Sequence, residues 1–394
     1  MKKVLATILA LVMALALCSV SWANEGVTTA EALNTAVGAG GEVKLGADIS
    51  ATITIPADKT VTLNLNGKTL TGSIVNKGTL TVTGTGKVVA TAAKTAAVAN
   101  FPDGTVTLSG GTYESANWYV IKNMGEMYIN GPVNVQKPQD STDTSSLIDN
   151  GWYGSTDTVA GEPVQAQANK AKLVISNGNF NGKSGAKSCS VVKNDDYGVL
   201  EISGGTFDST ANTGTDNATT LLNWNIATIS GGTFKGMYPI SNGAYTGEAD
   251  KGQITITGGE FIGTSTIFGS GQGGNAMGSV TVSGGTFTAP ALGAVYDNVD
   301  GGYTLTVSGG TFKDATGAKV DVSDYLASGK QQNADGSVST PSSGGYYYYQ
   351  PTTDTKTTDT KGSPKTFDAG IALYVGMALT SAAGVAFVGK KRED

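Results

Sequence analysis

Asp195 and Asp196, in the run Lys193-Asn194-Asp195-Asp196-Tyr197, form the adjacent acidic pair best suited to chemistry in this 394-residue chain. Two carboxyl groups can divide general acid and general base work, but only when they are separated and a third group holds the substrate. Neighbouring residues on a strand point to opposite faces, and in a turn both face water, so an exposed turn is expected here rather than a catalytic pair. The chain has no histidine, and its single arginine is Arg392. Cys189 therefore lacks the base that activates a thiol and is expected to be a small buried hydrophobe. No Gly-Gly-x-Gly-x-Asp calcium run occurs, and Gly269–Gly274 lacks the Asp, so neither a metal site nor a cofactor is expected. A second constellation is aromatic: Trp118, Tyr119, Trp152, Tyr153 and Trp224. Exposed Trp and Tyr on an extended surface stack against sugar rings, with Asp, Asn or Gln nearby to take the hydroxyls. The competing role for Trp152 and Tyr153 is to fasten a surface excursion onto the body of the protein.

The elements that position these residues follow from a repeat. Seven times an alternating strand runs into a Ser/Thr-Gly-Gly-Thr-Phe corner or a close variant, with the aromatic at Tyr113, Phe180, Phe207, Phe234, Phe261, Phe287 and Phe312. The last six are separated by 27, 27, 27, 26 and 25 residues. A period in the twenties is one turn of a solenoid, whose repeats cannot bury their apolar faces alone. Pairs such as Leu173/Ile175, Leu200/Ile202 and Ile254/Ile256 alternate with non-matching residues, which is the period of a strand. Further short strands are expected at Tyr119–Ile121, Ser190–Val192 and Ala294–Tyr296. Asn76/Gly78, Asn123/Gly125 and Asn242/Gly243 read as corners, because Asn and Gly tolerate positive φ.

This pattern, from Gly41 to Phe312, resembles the right-handed pectin-lyase-like β-helix family. The resemblance implies an all-β, right-handed parallel β-helix of about 10–12 coils, with a stack spacing of ~4.8 Å. It leaves function open, since that fold carries lyases, hydrolases, adhesins and spacers. Its lyases pair an Arg or Lys base with Asp-bound calcium, and its hydrolases carry an Asp pair, a Gly-His-Gly and an Arg-x-Lys. None of those motifs stands in this chain, so no enzyme is expected. The step from Tyr113 to Phe180 exceeds two periods, which places an insertion near 138–170 carrying Trp152 and Tyr153.

Met1-Lys2-Lys3, the apolar run to Val20 and Ser21-Trp22-Ala23 read as a secretory signal peptide over 1–23. Residues 24–40 read as an N-terminal cap, with a short amphipathic helix at Thr28–Val37, followed by the β-helix over 41–327. A low-complexity stalk is expected over 328–362, and 363–394 as an anchor tail whose apolar span 369–389 is long enough for a transmembrane helix. The basic cluster after that span places the rod outside the cell. The order Ser363-Pro364-Lys365-Thr366-Phe367, apolar span, basic tail resembles a Gram-positive sortase substrate, with Ser363 and Phe367 departing from Leu-Pro-x-Thr-Gly. That resemblance implies a sortase and the membrane as partners, and a location at the cell wall or plasma membrane. A net charge of -6 and no arginine before Arg392 disfavour nucleic acid. The expectation is a surface-anchored, non-catalytic adhesin or glycan-contact module for a polysaccharide or surface glycoprotein. A polysaccharide lyase or hydrolase and a passive spacer are the alternatives.

Overall fold

A computed structural model describes residues 25–138, 141–168, 170–182, 190–211, 219–243, 252–270, 278–293 and 303–342. The segment 1–23 expected as a signal peptide, Cys189, the strand expected at Ala294–Tyr296 and the tail expected over 363–394, including Ser363–Phe367 and 369–389, lie outside the described residues. Among the described residues no helix is long and apolar enough to cross a membrane.

Alternating β-branched and polar residues put every second side chain inward, and three such strands make one turn of the chain. Sheet A has eleven strands, from Gly41–Lys44 to Tyr303–Val307. Sheet B also has eleven, from Ile49–Ser50 to Thr311–Lys313, and sheet C has nine, from Ile53–Ile55 to Phe268–Ser270. Within each sheet every strand pairs in parallel with its counterpart one coil away, so the chain is a parallel β-helix of eleven coils. In sheet A, Leu80, Val106, Met127, Leu173, Leu200, Ala227, Ile254, Val280 and Leu305 stand one above another, all buried.

Sheet B holds the aromatic row. The rings from Phe180 to Phe312 stack with centroids 4.5–4.9 Å apart and planes within 3–10° of parallel. Tyr113 is parted from them by Val135, its register partner on one side and that of Phe180 on the other. The corner needs both glycines for different reasons. The second, as at Gly232 (φ +94°), is in the left-handed region, whereas a Cβ on the first, as at Gly231, would strike the Ser203 carbonyl of the coil below.

Sheet C contains an element that sequence reading assigned differently. Asn76, Asn123 and Asn242 are not positive-φ turn residues. They belong to a buried column, Asn76, Asn100, Asn123, Asn150, Asn194, Asn223 and Asn242, in which each Nδ2 donates to the next Oδ1 at 2.7–2.8 Å. Their amides also reach backbone carbonyls, as from Asn123 to Gly125, so the ladder satisfies the corner where the chain leaves sheet C. The strands themselves begin later than expected, at Ile121–Asn123 and Val192–Asn194.

Two boundaries are corrected. The span 138–170 is not one excursion, because Ile148–Asn150 returns to the rod as a strand of sheet C. What leaves is 151–170, built on the antiparallel hairpin Thr156–Val159/Glu162–Gln165. The stretch from 328, expected as a stalk, is folded as far as 342. Its hairpin Gln331–Gln332/Val338–Ser339 closes on the last coil through Phe312 N–H to Gly336 O and Val338 N–H to Gly310 O. With Val320, Val322 and Val338 buried, it covers strand edges that an open solenoid end would expose. At the other end the helix α1 (Ala30–Ala39) starts from Thr29, whose Oγ1 accepts from Ala32 N–H, and buries Leu33, Ala36 and Val37.

Candidate functional site

In the three-residue strands of sheet C from Ile53–Ile55 to Val192–Asn194 the first and third residues face inward and the middle one outward. Along coils four to six those outward residues are Lys122, Asp149 and Lys193, paired in register so that opposite charges are neighbours. Alternation alone would leave them in water, yet Lys122 and Asp149 are fully buried and Lys193 nearly so. The cover is segment 151–170. It departs through Gly151 (φ +121°), where a Cβ would collide with the Asp196 carbonyl, and Trp152 N–H then donates to that carbonyl at 3.0 Å. Trp152, Val159 and Val164 pack with Val75, Ala99, Phe101 and Met124 of the rod's outer face, and Lys77 pairs with Glu162 at 2.7 Å.

The result is a roofed polar chamber. Lys122 Nζ donates to Asp149 Oδ2 and, at 2.6 Å, to Asp157 Oδ2 on the hairpin. Lys193 Nζ donates to Asp195 Oδ2 at 2.6 Å and lies over the rings of Trp224 (4.0 Å) and Tyr153 (4.6 Å). Lys122 lies 5.4 Å from the ring centroid of Tyr119, which packs against Trp118 at 4.8 Å. Asp149 Oδ1 and Trp152 Nε1 are buried without a hydrogen-bond partner among the described residues.

Three carboxyls, Asp149, Asp157 and Asp195, and two ammoniums cannot all be charged in such a place without excess negative charge. Burial pushes Asp195 well above the usual carboxylate range, Lys193 opposes this, and Asp149 adds to the rise. At Lys122 burial pulls the ammonium down, but Asp149 and Asp157 outweigh it and the pKa is raised. Burial, then the field of Asp149, Asp195 and Asp157, lifts the Tyr119 phenol well above its ordinary value.

The acidic pair is thus no exposed turn: Asp195 and Asp196 are both buried, Asp195 against Lys193. Of the five aromatic candidates, Trp152 and Trp224 are not exposed on the strand surface: Trp152, part of the insertion, packs down onto the rod, and Trp224 is buried against Tyr153. Trp118 and Tyr119 are half-buried, and Tyr153 is 47% exposed. Four of them frame the chamber and Trp152 sits in its apolar roof. Lys122 and Lys193 were missed as members, and Asp149 and Asp157 were read only as acids of the insertion. Their signal was the recurring triplet Ile121-Lys122-Asn123, Ile148-Asp149-Asn150, Val192-Lys193-Asn194, with its charged centre. No group of three or more acidic or thiol side chains among the described residues has metal-binding geometry. A second concavity, of about 350 Å³ on the outer face of sheet A, is lined by Val174, Glu201, Ser203, Thr228 and Ser230, and its one carboxylate, Glu201, pairs with Lys172 at 3.1 Å.

The fold defines the class, a parallel β-helix solenoid. Comparison with known protein families, with curated proteins and with solved structures gives no match to this chain.

Proposed function

We propose that this chain is a cell-surface rod that contacts a glycan, without turning it over, through the aromatic rim of the chamber on sheet C. The observation that carries the reading is Tyr153: with Ile226 (37%) it is one of two exposed large apolar side chains among the described residues. Its ring is held by Trp224, with centroids 6.2 Å apart, and by the Lys193 ammonium beneath it. A rigid, half-open tyrosine beside polar groups suits a sugar ring. The rod takes the right-handed sense that parallel crossovers favour. The secretory signal at 1–23 and the sorting-like tail at 363–394 support display at the wall or membrane of a Gram-positive cell, with a sortase acting at Thr366.

The test is to incubate the rod, residues 24–345, with plant, mucin and bacterial-wall polysaccharides and to score retention and released product together. Retention without product is expected, and Tyr153→Ala should weaken it about tenfold, or ~1.4 kcal/mol, as for loss of one stacking ring. Released sugar would instead favour a lyase or hydrolase built on Asp195. Silence on both counts would leave a spacer.

A further inference from the structure

Within the chamber, Lys122 and Asp149 stand apart from the other ion pairs. Both side chains are fully buried, they occupy register-paired positions on adjacent strands, and their Nζ and Oδ2 are in direct contact. The pair is poorly completed as an ion pair, because Asp149 Oδ1 has no hydrogen-bond partner among the described residues. A desolvated pair of this kind gains little over a neutral arrangement of the same shape. A second carboxylate, Asp157, is 2.6 Å from the same Nζ and retains partial exposure, 18% of its side chain. Trp152, with Val159 and Val164 of the hairpin, roofs this outer face of the sheet.

We infer that Lys122 and Asp149 are joined by an amide bond that the folded chain makes itself. Lys122 Nζ, as ammonium, gives one proton to Asp157. The freed lone pair attacks Cγ of Asp149, the new N–C bond forms, and the proton on Asp157 passes to the departing oxygen. The C–O bond breaks, and the second nitrogen proton leaves with that oxygen as water. Ammonium plus carboxylate becomes amide plus one water, with Asp157 regenerated and no oxidant or cofactor involved. Burial drives the step in two ways: it removes two charges from a low-dielectric site, and it keeps out the water that would reverse the reaction. The raised proton affinity of the neighbouring Asp195 keeps a carboxylic acid, rather than another charge, beside the reacting pair.

Competing pairs lack this set of features. Lys193 and Asp195 lie two residues apart in one turn, with the ammonium committed to Trp224 and Tyr153. Lys137 also touches a carboxylate, Asp143, but that group is about a quarter exposed. The bond would tie coil four to coil five across 27 residues in a chain whose cysteines are Cys18 and Cys189 alone, and would do so independently of redox conditions.

Mass spectrometry of the full chain tests this. Trypsin separates 95–122 from 123–170 when Lys122 is free, while an acylated Lys122 blocks that cut. The expected product is a peptide 95–170 lighter by one water, with no backbone fragments between 122 and 149. Lys122→Arg, which keeps the charge but cannot close the amide, should restore the full mass, and Asp157→Asn should leave most chains uncondensed. The inference is overturned if wild-type protein has the full mass, if the silent fragment window ends elsewhere than at Asp149, or if the deficit survives in Lys122→Arg.

Discussion

Phe234 is one ring in a stack, flanked at 4.7 and 4.9 Å by Phe207 and Phe261 and wholly buried. Truncation to alanine leaves a void that two rigid neighbours cannot close, and should lower stability in urea titration by ~3–5 kcal/mol. Asp195 behaves differently, since its worth depends on pH. Its folded pKa lies above the unfolded one, so its stabilising contribution is complete below the ordinary aspartate value of about 3.9 and is lost as pH rises from there toward the folded pKa. Asp195→Asn imitates the protonated form. Its melting temperature should therefore match wild type in acid and exceed it increasingly toward neutral pH; equal differences at every pH would count against a protonated Asp195.

Among the elements, the asparagine column invites a graded test. Asn150 accepts from Asn123 and donates to Asn194 and to Val199 O, all in the interior. Asn150→Ala leaves the buried Asn194 Oδ1 without its donor and removes one of the three acceptors of Asn123 Nδ2, a loss of roughly 2–5 kcal/mol. Asn76 stands at the end of the column and its Oδ1 has no partner among the described residues, so Asn76→Ala should cost less. The hairpin over sheet C is the other element to test. Trp152→Ala should cost ~3–5 kcal/mol and open the insertion locally, with a rise in amide exchange at 151–165 while sheet A stays protected. The regular strands were legible from sequence because Phe180 to Phe312 keep a near-constant period and a visible corner. Coils one to three and five were harder, since Ile49, Leu70, Val88 and Val135 take the aromatic position and the loops between them vary. The asparagine ladder was half visible: Asn76, Asn123 and Asn242 stood out, but turn propensity and side-chain pairing predict the same letter. The burial of Lys122, Asp149 and Lys193 was hidden for a physical reason, because alternation predicts only which face a side chain takes, not whether a distant segment covers that face.

At the scale of the molecule, each coil contacts mainly its two neighbours, so stability accumulates along one dimension and unfolding need not be all-or-none. Denaturation followed by ring-stack absorbance and by exchange in coils one to four should therefore give non-coincident transitions. The asparagine ladder adds a direction to this rod, because its amides all point from Asn76 toward Asn242. Two of its members, Asn150 and Asn242, precede glycine, the sequence in which an asparagine most readily closes on the following peptide nitrogen and sheds ammonia. For Asn150 that cyclisation is opposed by hydrogen bonds on both sides, whereas Asn66, Asn130 and Asn177, each also before a glycine, have exposed side chains with fewer partners. Ageing of the protein should thus mark these exposed asparagines first, and isoaspartate at Asn150 would report that the rod had opened there. Once formed, that acid faces Asn194 Oδ1 with oxygen where a donor stood, so a chain that has opened long enough to be marked cannot close its column as before.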